Sequence, residues 1–102
     1  QYNIGIAYSK LERFEEAAQA YEYATFIKDD FASAHFNLGN THMNLGHFDR
    51  ARECYEAVLK HEEASPETLC CLGAAHERLE QFDKAIRYYK QAIKLDPLWD
   101  EG

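Results

Sequence analysis

Every thirty-four residues this chain repeats itself. Aligned at that step, Gly5, Gly39 and Gly73 fall into one column and Leu11, Leu45 and Leu79 into another. Phe14/Phe48/Phe82, Ala17/Ala51/Ala85 and Tyr21/Tyr55/Tyr89 follow, with Ile4/Leu38/Leu72 and Tyr8/His42/His76 between them. The stretch from Phe36 to Lys60 returns in register on both sides without insertion. A fixed period in this range means stacked copies of one supersecondary unit, none of which can bury its apolar face alone. Three periods fill the 102 residues, about the minimum for such an array.

Within each unit the apolar pattern has helical spacing. Ile4, Tyr8 and Leu11 lie at i, i+4 and i+7, one face of a helix. Glu12 and Arg13 interrupt that stripe, and Ala17, Tyr21, Ala24 and Thr25 start a second helix that ends near Lys28. The middle unit does the same with Leu38, His42 and Leu45, then Ala51, Tyr55, Val58 and Leu59, with Gly46 and His47 at the turn. The third has Leu69, Leu72, His76 and Leu79, then Ala85, Tyr89, Ala92 and Ile93, and Asp96-Pro97 ends its last helix. Ser65 as a capping hydroxyl, Pro66 at the first helical position and Glu67 at the positive end of the dipole make the clearest helix start. The expected product is all-α, three antiparallel helix pairs over residues 1–31, 32–65 and 66–99, with 100–102 beginning a further unit or a tail.

The glycine column needs a reason, because glycine inside a helix costs roughly 1 kcal/mol relative to alanine. Opposite it stands the alanine column Ala17, Ala51 and Ala85. The two together predict a close helix crossing that admits no larger side chain, with the Phe and Tyr columns filling the space on either side.

Composition narrows the function. With 46% hydrophobic and 28% charged residues the chain is not disordered. No apolar run approaches the roughly eighteen residues needed to cross a bilayer. The net charge of −7 divides into −3, −2 and −2 over the three units, with no cluster of Lys or Arg to neutralise phosphates. Nucleic acid and membrane are therefore not expected partners. Three cysteines, Cys54 and the adjacent Cys70 and Cys71, cannot all pair internally, which points to a reduced, cytoplasmic setting. The chain opens at Gln1 inside the repeat pattern and closes at Gly102 where another unit would begin, so it reads as a piece of a longer protein.

A small aliphatic before Gly, a Tyr or His three residues on, then Leu, Phe, Ala and an aromatic, closing at Pro97: this pattern resembles the tetratricopeptide repeat across the whole chain. The third unit matches best, through Leu69, Leu72, Gly73, Ala85, Tyr89, Ala92 and Pro97. The departures are His42 and His76 where Tyr is usual, His35 where a large apolar residue is usual, and Asp29 and Glu63 where Pro is usual. The resemblance implies a right-handed α-solenoid whose concave groove is lined by the first helix of each unit and holds peptides or helices of partner proteins. The groove positions it implies are Tyr2, Asn3, Ile6, Ser9, Ser33, Phe36, Asn37, Asn40, Met43, Asn44, Glu67, Cys70, Cys71, Ala74 and Glu77. Chaperone-tail receptors of the family grip a C-terminal carboxylate with Lys, Asn and Arg. Here those positions read Tyr2, Ile6, Asn37, Glu67 and Cys71, so a carboxylate would be repelled. Other members use a ladder of Asn before the Leu-Gly pair to bond an extended peptide. Asn3 and Asn37 match it and Cys71 breaks it.

Enzymatic and metal readings fare worse. His42 and His76 stand one unit apart, too far to share an ion at about 2.1 Å each, and are expected as core residues. Cys70 and Cys71 lack a C-x-x-C spacing or an activating neighbour. Glu15/Glu16 and Glu62/Glu63 fall at helix ends, where they complement the dipole. The expected function is a non-catalytic interaction module, without cofactor or metal, that binds a protein or peptide segment. The alternatives are a scaffold that self-associates through its uncapped ends, or a regulatory domain of a larger enzyme.

Overall fold

The computed structural model describes residues 1–98. Six helices run in order: α1 (Tyr2–Lys10), α2 (Phe14–Ile27), α3 (Ala32–Leu45), α4 (Phe48–His61), α5 (Pro66–Arg78) and α6 (Phe82–Leu95). Among the described residues there is no strand. Each helix packs on its chain neighbours, α1 on α2 through to α5 on α6, so the array is a stack of helix hairpins. The segment 100–102, expected to open a further unit or a tail, lies outside the described residues.

Each hairpin turns in the same way. The residue after the first helix's last turn has left-handed backbone: Glu12 at φ 59°, Gly46 at φ 80° and Glu80 at φ 61°, one column of the repeat. The following amide then reaches back five residues, from Arg13 to the Tyr8 carbonyl at 2.9 Å, from His47 to His42 at 2.8 Å and from Gln81 to His76 at 2.8 Å. The left-handed residue donates in turn to Ser9, Met43 and Glu77 at 3.0, 3.1 and 2.9 Å. These paired bonds satisfy carbonyls that the helix end leaves open. The side chains above them pair as well. The Arg13 guanidinium lies 5.3 Å over the Tyr8 ring, His42 Nδ1 is 3.3 Å from His47 Nδ1, and His76 Nδ1 is 2.6 Å from Gln81 Oε1.

The glycines answer to the tyrosines, which corrects the expectation of a glycine–alanine crossing. A Cβ at Gly5, Gly39 or Gly73 would stand 2.7, 2.7 or 2.9 Å from a ring carbon of Tyr21, Tyr55 or Tyr89. The ring of each second helix lies directly on the backbone of the first. The alanines serve the next junction: Ala17 and Ala18 cluster with Tyr21 and Leu38, and Ala51 with Tyr55, Leu72 and Ala75. These two clusters, one at each junction between units, are the core.

Helix ends follow the local chemistry. The Ser65 hydroxyl accepts from the Thr68 amide at 3.2 Å with Pro66 at the first helical position. Glu15 and Glu16 fall in the first turn of α2, where they favour the dipole. Glu62 instead caps the C-terminal end of α4, where a carboxylate meets the negative end of the dipole, contrary to the expectation for the Glu62/Glu63 pair.

Candidate protein-binding groove

The first helices α1, α3 and α5 carry a face on which two depressions meet at Asn37. The first, of about 260 Å³, is lined by the N-terminal turns of these helices, chiefly Tyr2, Ser33, Phe36, Asn37, Glu67 and Thr68, with Val58, Glu62 and Ser65 coming in from α4 and its following loop. The second, of about 470 Å³, lies between α1 and α3, lined by Ile6, Ser9, Lys10, Asn37, Asn40, Thr41 and Asn44 with Phe14 and Tyr21 of α2 behind them. Their charged residues differ in sign: Glu62 and Glu67 in one, Lys10 in the other.

The asparagines are built into the frame. Asn37 Nδ2 donates to the Tyr2 hydroxyl at 2.9 Å, and Thr41 Oγ1 donates to the Asn37 carbonyl at 2.8 Å. Asn40 Oδ1 accepts from the Tyr55 hydroxyl, with Cys71 Sγ at 3.9 Å. Asn44 Nδ2 donates to the Asn40 carbonyl at 3.2 Å, so its amide folds back on its own helix. Asn3 is exposed.

Tyr55 chooses Asn40 for a reason written in the column. In the outer units the tyrosine hydroxyl meets a polar residue of the first helix, Tyr21 with Ser9 at 3.4 Å and Tyr89 with Glu77 at 2.8 Å. The middle unit has Met43 at that position, so Tyr55 bonds one turn earlier. Burial and the Glu77 carboxylate push the Tyr89 phenol up to about 12. Burial also raises Tyr55, with Cys71 adding to it.

The remaining expected groove residues divide between surface and core. Tyr2 and Ile6 line the depressions and also pack against the first core cluster. Phe36 does the same against the second. Met43 and Cys71 pack against that second cluster, and neither lines a depression. Burial raises the Cys71 thiol and pushes Cys54 up to about 12, both away from reactive thiolates. Cys70 is half-buried, and Glu77 holds Tyr89. Sequence reasoning missed Lys10, Ala32, Thr41 and Thr68 on the first helices themselves, and Phe14, Tyr21, Val58, Glu62 and Ser65. The last five belong to second helices and a loop and reach this face through the gaps between first helices, which a list of first-helix positions leaves out.

His42 and His76 are buried, as expected of core residues. Among the described residues no group of three His, Cys, Asp or Glu side chains is placed to hold a metal ion. No helix among them is long and apolar enough to cross a membrane.

Tandem helix hairpins, a tyrosine on each glycine and a face of first-helix side chains define an all-α repeat solenoid. Family comparison agrees: Tetratricopeptide repeat profiles match residues 32–65 and 66–97, and a TPR repeat profile matches 5–46. The chain belongs to the tetratricopeptide-repeat family. Comparison with curated proteins finds no significant match. Among solved structures it is similar to MamA from Desulfovibrio magneticus RS-1, at 25% identity and TM-score 0.89, over 94% of this chain and 54% of that one. It is also similar to YrrB, described as a TPR protein with an unusual peptide-binding site, at 23% identity and TM-score 0.85, over 94% and 50%. A third is the first TPR domain of Spaghetti (RPAP3) bound to the HSP90 peptide SRMEEVD, at 19% identity and TM-score 0.88, over 94% and 76%. The chain thus spans about half the length of the MamA and YrrB structures it matches.

Proposed function

We propose that this domain is a protein-interaction module that takes an extended segment of a partner along the face of α1, α3 and α5. The observation that carries the reading is the pair of depressions joined at Asn37, one flanked by Phe36 and the other by Ile6. Apolar walls around a side-chain amide suit a peptide backbone, because an amide both donates and accepts without regard to sequence. A bound backbone would take Asn37 Nδ2 from the Tyr2 hydroxyl. RPAP3 and YrrB, whose printed descriptions concern peptides, support the reading by fold alone. The RPAP3 peptide ends in acidic residues. Glu62 and Glu67 in the first depression argue against a ligand of that kind here.

An amide NMR titration tests this. Extended peptides of neutral or basic composition should shift Tyr2, Phe36 and Asn37, and Asn37→Ala should weaken the binding at least tenfold. Tyr2→Phe should leave it unchanged or tighter, since it frees the Asn37 amide. Preferential binding of an acidic C-terminal peptide, or shifts confined to the outer helices, would refute the groove.

A further inference from the structure

The two junctions between units fill the same place differently. After α2 the linker brings in Phe31, whose ring leans on Tyr2 at 4.7 Å between centroids. The Lys28 ammonium lies 5.8 Å over that Phe31 ring. One period on, Tyr2 becomes Phe36, Phe31 becomes Ser65 and Lys28 becomes Glu62. Phe36 keeps the posture of its counterpart: it meets Tyr55 at 5.8 Å and 58°, as Tyr2 meets Tyr21 at 5.8 Å and 55°. With serine in place of the ring, the space against Phe36 stands open. It is the depression of about 260 Å³ that Phe36, Val58, Glu62 and Ser65 help to line. At one junction the chain supplies its own planar side chain and its own cation, and at the next it leaves both out.

The charge is inverted as well. Glu62 replaces the lysine, and Glu67 at the start of α5 stands where the earlier unit has Ser33. Among the described residues no lysine or arginine lines the depression, and neither carboxylate makes an ion pair. Glu62 also sits at the C-terminal end of α4, where the helix dipole repels it. A cation bound there relieves that repulsion.

We propose that the first depression, within the groove proposed for the partner segment and resting on that reading, takes an arginine side chain of the segment. What is missing beside Phe36 is flat, as Phe31 is, and positive, as Lys28 is. A guanidinium is both. It stacks on an aromatic face and presents N–H donors in its plane to carboxylates beside it. Its methylene stem packs along Val58, whose side chain is buried in the depression wall. Lysine brings the charge without the plane and ranks second.

Three extended peptides of serine and alanine, identical but for a central arginine, lysine or citrulline, test this by amide NMR titration. Citrulline keeps the plane and loses the charge. The arginine peptide should bind at least about fivefold tighter than the citrulline peptide, with lysine between them. Salt at about 0.5 M should shrink that ratio. Glu62→Gln combined with Glu67→Gln should bring arginine down to citrulline and leave citrulline unchanged. Both carboxylates are exposed, so circular dichroism should show this variant folded. Ser65→Phe returns the ring of the earlier junction to the depression and should abolish the preference too. Phe31 stands before α3 with no side-chain cap bond, so a ring is compatible with this place. Lysine ahead of arginine, equal binding of all three with shifts at Phe36 and Asn37, or a preference that survives the double substitution would each overturn the arginine pocket and leave the groove. No shift on this face with any peptide would remove the groove itself, and the pocket with it.

Discussion

Glycine's missing methyl lets Tyr55 lie on the backbone of α3. A Cβ at Gly39 would stand 2.7 Å from the ring, and Tyr55 is buried with its hydroxyl held by Asn40. Gly39→Ala should therefore destabilise by roughly 1–3 kcal/mol, overpacking outweighing the gain of about 1 kcal/mol in helix propensity. A denaturation double-mutant cycle with Tyr55→Leu should show the two substitutions coupled, because the smaller side chain vacates the clash. The column announced tight packing, but an aromatic lying on a helix backbone depends on a rotamer that periodicity does not carry. His42 adds a pH dependence. Burial lowers its pKa, with His47 and Arg50 lowering it further and Glu22 and Glu53 opposing. The unfolded chain takes up this proton near 6.5, the folded one only at lower pH. Stability should therefore be complete above 6.5 and fall as pH drops below it. Urea midpoints at pH 7.5 and 5.5 should separate less in His42→Tyr than in wild type.

At the scale of the element, the three hairpin turns share one backbone and not one residue type. Glu12 and Glu80 hold a left-handed conformation that Gly46 adopts freely, and an L-residue is strained there by roughly 1–2 kcal/mol. Glu12→Gly and Glu80→Gly should each raise stability by about 0.5–1 kcal/mol, part of the relief being returned as unfolded-chain entropy. Gly46→Glu should lower it by a similar amount, and thermal melts of the three variants check both signs. Helix pairs were legible throughout, since spacing names a face and a break in the stripe names a turn. Ser65 and Pro66 marked the start of α5 correctly because a cap is a local event. Glu12 and Glu80 hid the conformation of their turns, which only their register with Gly46 betrays. The first-helix face was legible by position and its hydrogen bonds were not. Asn37 and Asn40 lie on α3 as the helical spacing implies, yet their bonds to Tyr2 and Tyr55 join residues 35 and 15 apart in the chain. No local pattern encodes contacts of that kind.

For the molecule as a whole, the stack places its two core clusters on either side of the middle unit. Leu38 of α3 serves the first, and Ala51 and Tyr55 of α4 serve the second. Unit two is therefore gripped from both sides, and each outer unit from one. In a linear array, stability is the sum of unit terms and nearest-neighbour junctions, so opening an end unit breaks one junction while opening the centre breaks two. Amide hydrogen exchange should accordingly be slowest in α3 and α4 and fastest in α1 and α6, whose outer faces carry the exposed Ile4, Leu11, Phe82 and Ile86. The inner helix of each end pair, α2 or α5, should fall between, because it touches the middle unit directly. Leu38→Ala should sharpen the contrast. It removes the apolar contact between units one and two, at a cost of about 2–5 kcal/mol for a buried leucine. Protection should then drop in α1 and α2 while α5 and α6 keep theirs. Uniform loss across all six helices would mean that the domain opens as one cooperative body, with junctions too strong to break singly.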